Sequence, residues 1–232
     1  MSDGDRVQSQ PTRADDRPEG IVVWGTGSHA RVLWDALARE GLSIAALVDD
    51  DPSRKPWVEG VEVLAGLEGL ERWLKLQPDD MAESLKSLVA IGDNKIRLAV
   101  QSRIETLGIA PYTTVHPSAD IANAVAIGPG SQILAGVSVG VDAEIGRGCI
   151  LFTGSSIDHH SRLGDGVYFA PGVTIAGHVV IEDRVMVGTG AVVIPHITLG
   201  ADAVIGAGAV VIDDVAPGKT VVGNPARVIK SQ

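Results

Sequence analysis

From residue 115 to residue 211, every sixth position is a large apolar side chain, running Val115, Ile121, Ile127, Ile133, Val139, Ile145, Leu151, Ile157, Leu163, Phe169, Ile175, Ile181, Val187, Val193, Leu199, Ile205 and Val211. A helix repeats near 3.6 residues and a strand at two, so a strict period of six needs a larger unit whose successive turns present equivalent positions. Two residues before these positions stand small or β-branched residues such as Ser131, Val137, Cys149, Ser155, Val173 and Ala191. Large and small side chains therefore alternate down a narrow core, the signature of a β-solenoid.

The dipeptides Ile127-Gly128, Val139-Gly140, Ile145-Gly146, Leu163-Gly164, Val187-Gly188, Leu199-Gly200 and Ile205-Gly206 resemble the hexapeptide repeat of left-handed parallel β-helix acyltransferases. That resemblance implies triangular coils of three hexads, with residues eighteen apart stacked about 4.8 Å along the axis.

The repeat covers only the second half of the 232 residues. Upstream, Ile21-Val22-Val23-Trp24 is a buried-strand pattern that runs into Gly25-Thr26-Gly27-Ser28-His29-Ala30 and a helical stretch from Arg31 to Glu40. A second strand, Ile44 to Val48, ends in Asp49-Asp50-Asp51; a third, Leu88 to Ile91, ends in Gly92-Asp93-Asn94 before a helix reaching about Leu107. Alternating strands and helices predict a parallel sheet of Rossmann-like topology with ligand sites beyond the carboxyl ends of its strands. The expected fold is thus an α/β Rossmann-like N-terminal domain followed by an all-β left-handed parallel β-helix. Its expected boundaries are a disordered tail over 1–20, a Rossmann-like domain over 21–114, a solenoid over 115–216 and a C-terminal tail over 217–232.

The glycine turn is an incomplete dinucleotide fingerprint, with Ala30 in place of the third glycine and a bulky His29 before it. It still offers helix N-terminal amides suited to a phosphate, although a purely structural tight turn is the alternative. A net charge of −10 argues against nucleic acid or an anionic membrane as partner. The single cysteine, Cys149, falls at an inward position and reads as a packed core thiol. The polar first twenty residues carry no apolar targeting segment, and no run reaches membrane-spanning length, which predicts a soluble cytoplasmic protein.

Ser156-Ile157-Asp158-His159-His160-Ser161 carries the most reactive side chains of the solenoid. A neutral imidazole is suited to accept a proton near neutral pH, as acyl transfer from a thioester to an amine or hydroxyl requires. His160 shares its hexad place with glycines at 130, 136, 148, 154, 166, 172, 190 and 208, and with His178 and His196. That column predicts a corner with positive φ, where glycine leads and Asn, Asp and His are also enriched. His159 belongs to a different column, with Val141, Gly177, Pro195 and Asp213, so turn preference does not account for it. Gly177 is expected one coil above His159, with its N–H as an oxyanion donor. The spacing from His160 to His196 is similar to that of the γ-class carbonic anhydrases, but the place of their third histidine is Ala201, and no metal is expected.

As a whole the chain resembles the sialic acid O-acetyltransferase and bacillosamine-type nucleotide-sugar N-acetyltransferase family. The resemblance is carried by the glycine turn, Asp49-Asp50, the segment from Ala90 to Arg97, His116-Pro117, Ile157-Asp158-His159-His160, Ala170-Pro171-Gly172 and the segment from Val222 to Arg227. It implies that His159 is the general base, and that Gly27, Ser28 and His29 bind a nucleotide-linked amino sugar beside Asp49, Asp50 and Gly92. It further implies that acetyl-CoA lies between subunits of a homotrimer near Tyr168, Gly177, Thr189 and Ala207. Independently of the resemblance, Pro217-Gly218 is expected to stop the repeat and Asn224-Pro225 to turn the tail back toward the solenoid's end, where Arg227 or Lys230 meets a CoA phosphate or belongs to a solvated basic tail. Some relatives follow the base with a carboxylate, whereas here His160 follows, which leaves Asp158 and Asp142 as candidates to orient His159. The expected reaction is acetyl transfer from acetyl-CoA to the amine of a 4-amino-4,6-dideoxy sugar in surface-glycan biosynthesis. O-acetylation of a sugar, or a non-catalytic sugar-nucleotide-binding solenoid, is the alternative.

Overall fold

The computed structural model describes residue 18 and residues 20–231. The disorder expected over residues 1–20 therefore lies almost wholly outside the described residues. The chain opens with β1 (Ile21–Trp24), α1 (Ser28–Glu40), β2 (Ile44–Asp49), β3 (Val63–Ala65), α2 (Gly66–Leu74), α3 (Asp79–Ser84), β4 (Lys86–Val89), α4 (Asn94–Glu105) and β5 (Ala110–Pro111). These strands form one parallel sheet in the order β3-β2-β1-β4-β5. All four residues of β1 are buried, as expected for the central strand of a sheet covered on both faces.

Several features of this half differ from the sequence reading: β4 lies two residues before the strand expected over Leu88 to Ile91, and β5 was not expected. The edge strand β3 and helices α2 and α3 stand where none was expected, because a three-residue strand is too short to show a period. Helix α1 begins at Ser28 rather than Arg31, with Gly27 as its N-cap and no side chain capping it. It ends on Gly41 in the left-handed conformation, whose N–H returns to Ala38 O at 3.1 Å.

The second half is the solenoid. Seventeen two-residue strands run from β6 (Thr114–Val115) to β22 (Val210–Val211), one per hexad. They line up in three parallel sheets, the three faces of the prism. The register is eighteen residues, as in Ser138↔Ser156 and Val139↔Ile157. The period-six side chains form one continuous buried core from Val125 to Val221. Small inward serines join successive coils: Ser131 Oγ donates to Gly146 O at 2.8 Å and accepts from Cys149 N at 3.1 Å. Cys149 is fully buried there, and desolvation pushes its thiol up to about 12, consistent with a packing role.

Past Val211 the eighteen-residue register ends, with Ile205 facing Val221 sixteen places on, but the chain completes one more strand of the coil. β23 (Lys219–Val222) still pairs in parallel with the strand Val204–Ile205, and β24 (Arg227–Ser231) then folds back antiparallel on β23. Pro217 falls in a turn, where its missing N–H costs no ladder bond. Among the described residues no helix is long and apolar enough to cross a membrane.

The two halves dock through buried polar groups. Arg97 of α4 is 1% exposed and donates to Gly148 O and Gly166 O of the solenoid, to Ile91 O and Gly92 O, and to Asn94 Oδ1, at 2.8–3.2 Å. Its five contacts include no carboxylate, and desolvation lowers its pKa to about 10. The positions 97, 100, 101 and 104 form the buried stripe of α4, so Arg97 and Gln101 stand where a helix normally places apolar residues.

Candidate active site

The turn at residues 158–161 joins the sheet containing Ser156–Ile157 to the sheet containing Arg162–Leu163. His160, His178 and His196 occupy this edge in successive coils with φ of 58°, 59° and 64°, as the glycine column predicts. Their rings stack with centroids 4.9 and 5.0 Å apart. One atom each of His159, His160 and His178 falls within a 4.8 Å cluster. The His160 and His178 planes are only 22° apart, however, so their in-plane lone pairs do not converge on one point as metal ligation demands.

His159 is partly buried, and its ring lies over Gly177: a Cβ on that glycine would sit 2.8 Å from both Cε1 and Nε2. Backbone bonds hold the pair in register, with His178 N donating to His159 O at 3.0 Å and His196 N to Gly177 O at 3.3 Å. Among the described residues, nothing accepts a bond from the Gly177 N–H.

The two carboxylates considered as orienting partners do other things. Asp158 Oδ1 accepts from the backbone N–H of His159 at 2.7 Å, and its Oδ2 is 4.0 Å from His159 Nε2. Asp142 Oδ2 faces His160 Nε2 at 3.5 Å rather than His159. The ring nitrogen that meets His159 Nδ1 is His160 Nδ1, at 3.1 Å.

A second cluster sits at the carboxyl ends of β1, β2 and β4, where strand order reverses about β1. Gly27, Ser28 and Gly92 are exposed here, and a Cβ on Gly27 or Gly92 would meet nothing within 4 Å. Asp50 is exposed beside Gly66, whereas Asp49 is largely engaged by the protein. Its Oδ2 accepts from Thr26 N and Oγ1 at 3.0 and 2.6 Å, and its Oδ1 from Asp51 N at 3.0 Å. Asp49 thus holds the glycine turn in shape.

His29 explains the bulky residue in that turn. Its Nε2 lies 2.6 Å from Gln132 Oε1, and its ring packs 5.1 Å from Phe152, which packs 5.4 Å from Tyr168. Gln132 Nε2 donates to Val89 O at 2.9 Å, so its Oε1 must face His29 and His29 Nε2 must carry the hydrogen. His29 Nδ1 is then an acceptor, buried and without a partner. Desolvation lowers the His29 pKa below its ordinary value, favouring the neutral ring.

Tyr168 lies on the face that carries Gln132, Ile150 and Met186, next to the N-terminal half. Thr189 and Ala207 are exposed on the next edge, where that face turns toward the one containing Val192. Arg227 is exposed and 3.9 Å from Asp213 Oδ2, and the side chain of Lys230 lies outside the described residues. Within one chain, then, the glycine turn, His29 and Tyr168 gather on one face, while His159 and Gly177 occupy the edge opposite that face. Arg97, Gln132, Phe152 and the Nδ1 contact of His160 were not identified from sequence. The polar pair Arg97 and Gln101 on an otherwise apolar helix stripe is the one signal that could have revealed the first.

Residues 20–104 match the PglD N-terminal domain family, and residues 178–213 match the bacterial transferase hexapeptide family of six repeats. The UDP-N-acetylbacillosamine N-acetyltransferase of Bacillus subtilis (strain 168) is 33% identical over 123 residues. That stretch is 50% of this chain and 52% of the relative, so the match spans about half the length of that protein. The crystal structure of PerB from Caulobacter crescentus, in complex with CoA and GDP-perosamine, is similar with a TM-score of 0.83 and 35% identity over 91% of this chain and 97% of that one. The acetyltransferase domain of PglB from Neisseria gonorrhoeae FA1090, in complex with acetyl coenzyme A, gives 0.80 at 29% identity over 91% and 100%. With both halves matched and a relative covered nearly end to end, the chain belongs to the bacillosamine-type nucleotide-sugar N-acetyltransferase family of hexapeptide-repeat acyltransferases.

Proposed function

We propose that this chain transfers the acetyl group of acetyl-CoA to the amine of a nucleotide-linked 4-amino-4,6-dideoxy sugar, in the cytoplasm, as a step of surface-glycan biosynthesis. The relatives named above support the acetyl donor and the class of acceptor. In this reading His159 Nε2 takes the proton from the attacking amine and returns it to the leaving thiolate, and the Gly177 N–H binds the thioester oxygen as it gains charge. The α1 amides after Gly27 hold the diphosphate. Ser28, Asp50 and Gly92 line the remainder of the acceptor pocket, with Asp49 shaping the turn and the neutral ring of His29 packed behind it.

The observation that carries this reading is the separation of the parts. A general base on one edge of the prism and an acceptor pocket on the opposite face cannot serve one substrate within a chain, but they can meet between neighbours in a ring. Exposed Val141, Ile194 and Ile212 flank the histidine edge, at 43%, 37% and 39% exposure, and supply apolar surface for such a contact. A homotrimer with three identical sites between subunits satisfies both features. Tyr168, Thr189 and Ala207 then approach acetyl-CoA from one subunit, and His159 and Gly177 from the next.

The test is direct. The purified protein is given acetyl-CoA and GDP-perosamine, or another nucleotide-linked 4-amino sugar, with release of the CoA thiol and the mass of the sugar product followed together. Acetylated amine is the expected product. Thiol release without acetylated sugar, across UDP-, dTDP- and GDP-linked amino sugars, would overturn the reading.

A further inference from the structure

We infer that His160 and Asp142 form a relay behind His159, so that the orienting carboxylate comes from the preceding coil and acts through a second imidazole. This inference rests on the assignment of His159 as general base. Three facts carry it. His159 Nδ1 and His160 Nδ1 are 3.1 Å apart, a distance at which one nitrogen donates and the other accepts. His160 Nε2 is 3.5 Å from Asp142 Oδ2. Asp142 and His160 stand eighteen residues apart at the same corner, with φ of 59° and 58°, so the fold itself places one behind the other.

The carboxylate decides which nitrogen carries the hydrogen. If His160 Nδ1 were the donor, its Nε2 lone pair would face a negative oxygen. With the hydrogen on Nε2, His160 points a positive edge at Asp142 and leaves Nδ1 free to accept from His159. His159 then carries its hydrogen on Nδ1 and exposes the Nε2 lone pair over Gly177, the tautomer a base at that position needs. In the transfer step the new N–C bond forms as the amine proton passes to His159 Nε2, and the C–S bond breaks as that proton goes to the sulfur. His160 and Asp142 keep their protonation states throughout and stabilise the transient imidazolium. His160 and Asp142 are therefore positioning residues, and the relay gives a role to the second histidine, which turn geometry alone would fill with glycine.

The other charged groups around the relay are Asp158 on the same turn, His178 and His196 on the coils beyond, and the ion pair of Arg162 with Glu144 at 3.3 Å beside Asp142. Asp142→Asn and His160→Gly both suit a positive φ, so each keeps the corner. Both are expected to lower kcat about tenfold, less than a buried orienting carboxylate provides because Asp142 is half exposed. Asp142→Asn should also move the acid limb of the kcat/KM profile to lower pH, since loss of the negative charge disfavours the imidazolium. KM for acetyl-CoA should stay within about twofold, and the double variant should be no slower than His160→Gly alone, as expected for groups acting in series. The control is His159→Ala. If His159→Ala abolishes turnover while the other two variants keep kcat and Asp142→Asn keeps the acid limb, the relay is wrong and the base stands. If His159→Ala itself keeps turnover, the base assignment fails and the relay with it.

Discussion

The imidazole of His159 lies directly on the Cα of Gly177, so closely that a methyl group there would meet Cε1 and Nε2 at 2.8 Å. No positive φ requires glycine at 177, which leaves proximity to the ring as its structural reason. Gly177→Ala should therefore fold normally and tilt His159 away from its working position. A displacement of that kind is expected to lower kcat about 10–100-fold with an unchanged melting temperature. Parallel steady-state kinetics and thermal denaturation check this, and a fall in stability without a fall in kcat contradicts it.

His159→Ala or His159→Asn should lower kcat by about 10²–10⁴ while the oligomer persists. Size-exclusion chromatography run beside the assay separates loss of a base from loss of assembly.

His29 is the neutral link between the glycine turn and the solenoid. Its folded pKa lies below the ordinary 6.5, so below about pH 6.5 the unfolded chain takes up a proton that the folded chain resists, and stability falls as pH falls toward the folded value. At most, this group contributes about 1.4 kcal/mol per pH unit in that window. Denaturant titrations between pH 7 and pH 5 should show a shallower decline for His29→Gln than for the unaltered protein. The same variant should raise KM for the nucleotide sugar and leave KM for acetyl-CoA unchanged, because His29 anchors the glycine turn to the solenoid through Gln132.

Arg97→Met removes five hydrogen bonds and leaves Gly148 O and Gly166 O unpaired in the interior. A loss of about 2–4 kcal/mol is expected, or roughly 5–15 °C in a chain of this size. Scanning calorimetry reads the size of the loss. A separate early transition for the N-terminal half would show that Arg97 is what couples the two halves.

The solenoid was legible because its long-range contacts are written at a fixed offset: each residue meets the one eighteen places on, so a period in the sequence is a period in space. The corner column could be read for the same reason, and glycines at its other positions correctly placed His160, His178 and His196 at positive φ. Rossmann-like topology was legible from Gly25-Thr26-Gly27 and the buried strands, although the three-residue edge strand beginning at Val63 was not. Contacts that cross between the halves carry no such offset. Nothing local marks Gln132, on a solenoid face, as the partner of His29 from 103 residues earlier. The same holds for Arg97, whose acceptors at Gly148 and Gly166 are backbone carbonyls that any sequence would supply.

Mixed assembly shows whether base and acceptor pocket belong to different subunits. His159→Ala keeps an intact acceptor pocket, and Gly27→Trp keeps an intact base but fills the open space at the α1 N-terminus. Each variant alone is expected to be nearly inactive with acetyl-CoA and GDP-perosamine. Co-expressed with separate tags and purified as mixed oligomers, they should regain a substantial fraction of the unaltered turnover, because some interfaces then pair a good base with a good pocket. Mixed oligomers as inactive as either parent would contradict the account and place both functions within a single chain.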